Sequence, residues 1–161
     1  VAWLLVAVGA LAFPIAASAA NVTLSAVTFV PRGDAPAGDV LLGLLANNGG
    51  TGVYYALANL TPGESVCKVT LWARDNDGDF DVTARLVRKQ IVSGPGTGFG
   101  PPPQVMASAK TAGASGDLQR AATTAITSPL VSLNFLYWIE LDFPGGFMEA
   151  LNVRILTQPV C

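Results

Sequence analysis

The sequence predicts an all-β fold, a single antiparallel β-sandwich of jelly-roll type after an N-terminal signal peptide. Three observations predict it. Short runs whose apolar residues recur at every second position, such as 68–74 and 133–141, describe strands with one buried face. Glycines (17) and prolines (11) interrupt these runs at the short intervals expected of a sandwich or jelly roll. Beyond residue 20, no stretch convincingly sets its apolar residues three and four apart, as an amphipathic helix requires.

Residues 1–20, VAWLLVAVGALAFPIAASAA, carry no charge, and the first charged side chain is Arg32. The apolar run, Pro14 and the small-x-small pattern Ala17-Ser18-Ala19 read as a signal peptide whose basic n-region is missing, with cleavage near Ala19 or Ala20. A retained anchor is the competing reading, because about 20 apolar residues can span a bilayer. Cleavage leaves residues 21–161 as one domain, detached from the membrane and large enough to bury a core. Charged residues make up 12% of the chain, about half the usual share. A net charge of −2 and a pI near 4.8 argue against a nucleic-acid partner.

Residues 21–31, NVTLSAVTFVP, are rich in β-branched side chains and stop at a proline, so they read as one edge strand. A loop follows at 32–39. Its Arg32-Gly33-Asp34 triplet is the one integrin ligands use, but such triplets arise by chance in a chain of this length. Residues 40–46 are a short apolar run, 47–52 a turn, and 53–60 a strand ending at Thr61-Pro62-Gly63.

Residues 66–88 read as the central hairpin. Val69, Leu71 and Ala73 alternate with Lys68, Thr70, Trp72 and Arg74, and Phe80, Val82, Ala84 and Leu86 alternate with Asp81, Thr83 and Arg85. Asp75-Asn76-Asp77-Gly78-Asp79 between them is turn chemistry. The chain has eight aspartates, and four of them (Asp75, Asp77, Asp79 and Asp81) fall within seven positions, which is also what a calcium site would use. An EF-hand register with Gly78 at its sixth position puts Ala73 at the first and Ala84 at the twelfth, where ligands belong. A polar turn is therefore the first reading, and an irregular calcium site the second.

The segment 93–103, SGPGTGFGPPP, can be neither a core strand nor a helix and reads as a surface loop. Residues 104–112 suit a strand and 114–117 a turn. The stretch 118–127 suits a strand better than a helix because of its threonines. In 133–141, Phe135, Tyr137, Ile139 and Leu141 face one way and Asn134, Leu136, Trp138 and Glu140 the other. The chain turns at Pro144-Gly145-Gly146, and 150–157 closes the fold with Leu151, Val153 and Ile155 inward and Asn152 and Arg154 outward.

Cys67 and Cys161 are the two cysteines, and in an exported chain they are expected to pair. The bond would tie the C-terminus to the central strands.

Tyr54-Tyr55 leading into Leu60-Thr61-Pro62-Gly63, then Asp75-Asn76, Arg85 to Lys89, Met106-Ala107-Ser108, Phe135-Leu136-Tyr137-Trp138 and Asn152-Val153-Arg154-Ile155, follow a recognisable order. Across about residues 53–157, this order resembles a group of small bacterial secreted β-sandwich proteins. The resemblance implies an extracellular all-β domain and carries no activity with it. The Pro-rich insertion at 94–103 departs from the group's tighter connection.

Catalysis is not expected. With no histidine, Ser-His-Asp and Cys-His systems are unavailable, and zinc is improbable. Glu64, Glu140 and Glu149 with the aspartates are the only candidates for paired-carboxylate chemistry. The expected function is a structural or interaction protein, secreted or held in the periplasm or at the cell surface, that self-associates through the outward apolar residues Trp72, Val87, Leu136 and Trp138 or joins an extracellular or cell-surface component. The alternative is an extracellular carbohydrate-binding module in which Trp72 and Trp138 stack on sugar rings.

Overall fold

The computed structural model describes residues 18–33, 39–47, 50–91 and 100–161. Residues 1–17, Asp34 of the Arg-Gly-Asp triplet and residues 93–99 of the Pro-rich segment lie outside them, so the expectation of a signal peptide falls on residues mostly not described. The described residues form strands β1 (Ala20–Ser25), β2 (Val30–Pro31), β3 (Asp39–Leu41), β4 (Leu44–Ala46), β5 (Gly52–Leu57) and β6 (Ser65–Asp75). After these come β7 (Thr83–Gln90), β8 (Gln104–Lys110), β9 (Ser115–Thr123), β10 (Phe135–Phe143) and β11 (Met148–Gln158). A single 3₁₀ turn at Ala26–Thr28 is the only helical element among them.

Two antiparallel sheets result. One is ordered β3-β4-β11-β6-β9, with β1 also on β11, and the other β2-β5-β10-β7-β8. Four pairings set the topology: β1 with β11, β5 with β10, β6 with β9 and β7 with β8. They nest, so the chain is one antiparallel ribbon folded back at the β7–β8 connection and rolled so that successive ribbon segments alternate between sheets. This is the jelly roll the sequence predicts. In the sequence the Pro-rich segment 93–103 falls between the end of β7 and the start of β8, and the surface-loop expectation for its residues 93–99 lies outside the described residues.

Two local expectations change. Residues 21–31 are not one strand: β1 runs in the six-stranded sheet, the 3₁₀ turn breaks it, and β2 joins β5 in the other sheet. Residues 66–88 are not a hairpin, since β6 lies between β11 and β9 while β7 lies between β10 and β8. The link between them is an arch from sheet to sheet, and Phe80, expected inward on the second arm, lies in that arch before β7 begins and is 50% exposed. Period-two alternation reports that each arm has a buried face, and it is silent on which strand is the hydrogen-bonded neighbour.

The core lies between the sheets. Val69, Leu71, Val153 and Ile155 come from one side and Leu86, Ile139, Leu141 and Phe143 from the other, all fully buried. Tyr54 meets Phe143 edge-to-face at 5.5 Å. On β10 and β11 the inward sets match the alternation in the sequence, except at Leu151, the extra residue of a bulge between Ala150 and Asn152, which is only half-buried. The β3–β4 turn places Leu42 (φ 52°) and Gly43 (φ 80°) in the left-handed region, the backbone of a tight primed hairpin turn.

Asn47 anchors the loops at one end of the sandwich. Its amide donates to the carbonyls of Gly50 and Gly145, and its Oδ1 accepts from the Met148 N–H at 3.1 Å. The residue is 1% exposed, so Asn47→Ala strands buried backbone groups. The expected loss is about 2 kcal/mol of unfolding free energy in a urea titration.

Candidate functional site

The aspartate-rich segment caps the β6–β7 arch. Asp75 is fully buried, and its carboxylate accepts from the Asp77 N–H (3.1 Å), the Val82 N–H (3.2 Å) and the Thr111 hydroxyl. Asp77 Oδ1 accepts from the N–H groups of Asp79 (2.9 Å) and Phe80 (3.2 Å), as turn aspartates do. Asp81 accepts from the Gly113 N–H at 2.8 Å and pairs with Lys110 at 2.7 Å. Lys110 and that N–H hold the Asp81 carboxyl below the usual carboxylate range. Their contribution to stability is therefore present at neutral pH and fades as pH falls through the lowered value. Gly145 packs on this arch so closely that an added Cβ would lie 2.9 Å from Asp77 Cγ. The carboxylates of Asp75, Asp77 and Asp81 are thus aimed at separate donors, and Asp79 enters the arch through its backbone N–H. Among the described residues no three His, Cys, Asp or Glu side chains come together to hold a metal ion. Neither alternation nor turn chemistry marks Thr111, the partner that completes the Asp75 cap.

Cys67 and Cys161 are joined, with Cα atoms 5.3 Å apart. Cys67 is the extra residue of a second bulge, where Leu156 pairs with Lys68 and Thr157 with Val66. A bulge frees its side chain from the strict in–out alternation of the strand.

The glutamates are dispersed. Glu64 accepts from the Thr157 hydroxyl, Glu149 pairs with Arg74 across β6 and β11 (2.8 Å), and Glu140 shares Arg85 with Asp142 (2.9 and 3.0 Å). Burial and the neighbouring Glu140 carboxylate raise the Tyr55 phenol above its ordinary value, while Arg32 opposes them.

The four expected interface residues do not form one patch. Trp72 is on β6 and Trp138 on β10, so the tryptophans stand on opposite outer faces and cannot jointly bed one sugar chain. Leu136 is exposed, whereas Val87 is only 3% exposed and lies outside the core cluster, covered on the outer side of β7. Register explains this. Val105, Val87, Trp138 and Leu57 are direct cross-strand neighbours in a row over β8, β7, β10 and β5. Leu57 (69% exposed), Val30 (59%) and Val105 (50%) extend the apolar surface. Thr28, Val30, Tyr55, Leu57 and Trp138 line an open groove of about 560 Å³ beside the row. One row further along, Arg85, Glu140 and Tyr55 make the face polar. Alternation sets Leu57 in phase with the outward Tyr55, whereas it sets Val105 in phase with the buried Ala107 and Ala109, and only the bulge at Met106 and the strand order bring Val105 out beside Trp138.

On the other outer face Trp72 has Arg120 of β9 and Asn152 of β11 as cross-strand neighbours. The guanidinium carbons of Arg120 and Arg154 lie 5.8 and 5.1 Å from the Trp72 ring centroid, within cation–π reach.

No family model matches the chain, and no curated protein is detectably similar to it.

Proposed function

We propose that this chain is an exported, non-catalytic structural or interaction domain that self-associates through the outer face of the five-stranded sheet. The apolar row Val105–Val87–Trp138–Leu57 carries the reading, because the outward positions of a sandwich strand are ordinarily polar. A second copy of the chain is the occupant that suits it. The adjoining row presents Arg85 with Glu140, and the row beyond it Asp142, so two copies related by a two-fold axis can exchange opposite charges while covering each other's apolar row. Export is supported by the disulfide, a bond that persists in oxidising compartments. It is compatible, too, with the lack of any helix among the described residues long and apolar enough to cross a membrane. The resemblance to small bacterial secreted proteins points the same way.

Light scattering on the oxidised protein tests this. A mass at least twice that of the monomer is expected for the wild type at micromolar concentration, and the monomer mass for Trp138→Glu and Leu57→Glu. A wild type that stays monomeric at high micromolar concentration rules the reading out.

A further inference from the structure

We infer that the outer face of the six-stranded sheet binds an acidic polysaccharide, gripped by Lys68, Arg120 and Arg154 around Trp72. The site lies on the face opposite the proposed self-association surface and does not depend on it.

Asn21, Lys68, Thr70, Trp72, Arg120 and Arg154 come together from β1, β6, β9 and β11 to line a shallow depression of about 180 Å³. Three of the chain's nine Lys and Arg residues therefore gather in one place on a protein whose net charge is −2. None of the three takes part in an ion pair among the described residues. The carboxylate in the next row along this face, Glu149, is occupied by Arg74 at 2.8 Å. Clustered like charges with no counter-charge repel one another, and a bound anion removes that repulsion.

Trp72 gives the cluster its shape. With Arg120 and Arg154 both against its ring, the indole holds two guanidiniums that would otherwise separate, and their donors stay pre-organised for carboxylate or sulfate oxygens. The charges also form a track. Lys68, the Thr70–Arg154 pair and the Trp72–Arg120 pair occupy successive rows along β6. At about 3.3 Å per residue the backbone rows lie roughly 6.6 Å apart and span about 13 Å, with the two guanidiniums drawn together at the Trp72 end and the Lys68 amine at the other. A linear polyanion with regularly spaced charges fits such a track better than a single small anion.

Polysaccharide is favoured over nucleic acid because the indole is engaged by two arginines and offers no free platform for base stacking. Asn21, exposed on the lining, is a hydrogen-bonding partner for the hydroxyls between the charges, while the buried Thr70 and half-buried Leu156 form the floor.

The experiment is interferometry of the oxidised protein against immobilised polygalacturonate and dextran sulfate. Unmodified dextran, single-stranded DNA and phosphatidylglycerol vesicles run beside them. Binding to at least one acidic polysaccharide, weakening as salt rises and absent on dextran, is expected. The Arg120→Ala/Arg154→Ala double variant should bind about tenfold or more weakly. Lys110→Ala, which removes a charge elsewhere, should bind as the wild type does. Should the double variant fail to fold, Lys68→Glu carries the test with the same expected loss. No binding to either polysaccharide, undiminished binding by these site variants, or tighter binding to DNA or vesicles would overturn the assignment. Undiminished polysaccharide binding by monomeric Trp138→Glu separates this site from the self-association face.

Discussion

Replacing both Cys67 and Cys161 with serine should lower the unfolding free energy of the oxidised protein by about 4–5 kcal/mol. The bond closes a loop with a sequence separation of 94, so it removes much of the freedom of the unfolded chain, and the loss acts chiefly through that state. Native packing should be little disturbed, because Cys67 occupies a bulge and Cys161 is exposed at the chain end. A melting midpoint roughly 10–20 °C lower is the corresponding thermal signature. Guanidinium titrations of the oxidised wild type, the double serine variant and the reduced wild type provide the check. The last two should agree. A difference below about 1 kcal/mol between oxidised wild type and variant would mean that strand pairing around β11 already restrains this end of the chain.

Asp75→Ala should cost about 3–5 kcal/mol, the largest loss expected of any single substitution at the arch. The carboxylate is fully buried and serves donors from three directions: the chain just after β6, the start of β7's approach at Val82, and Thr111 beyond β8. Removing it leaves the Asp77 N–H without that acceptor inside the fold and leaves the Thr111 hydroxyl with only the distant Val82 carbonyl at 3.4 Å. Asp75→Asn keeps the shape but turns an amide donor toward these donors, so about 1–3 kcal/mol is expected. Thr111→Val should cost less than Asp75→Ala. In the double variant the losses should fall short of additivity, since both remove the same bond. Urea titration of the three variants measures this, and full additivity would show that the two side chains do not act together.

Much of the β body was legible because a strand with one buried face writes its alternation into the sequence. Phe135, Tyr137, Ile139 and Leu141 read as one inward face, and three of them are buried while Phe135 packs at the core's margin. The stretch around Leu118 is a strand, as its threonines suggested. Errors came wherever the question was which strand lies beside which. Residues 66–88 carry the same alternation whether they form a hairpin or an arch, and Asp75 suits a solvated turn as well as a buried clamp. Trp72 and Trp138 share the outward phase of their strands, yet the rolled ribbon sends them to opposite sides of the molecule.

The all-β class, the inward residues of the long strands and the pair of cysteines able to join follow from local alternation, turn chemistry and a count of two, all present in the chain before it folds. Tertiary structure alone decided that the ribbon rolls into nested pairs, that a row of apolar side chains surrounds Trp138, and that Arg120 and Arg154 meet over Trp72. Those neighbours are far apart in the chain, and their meeting depends on how two sheets share one core, a property of the packed whole that no single segment encodes.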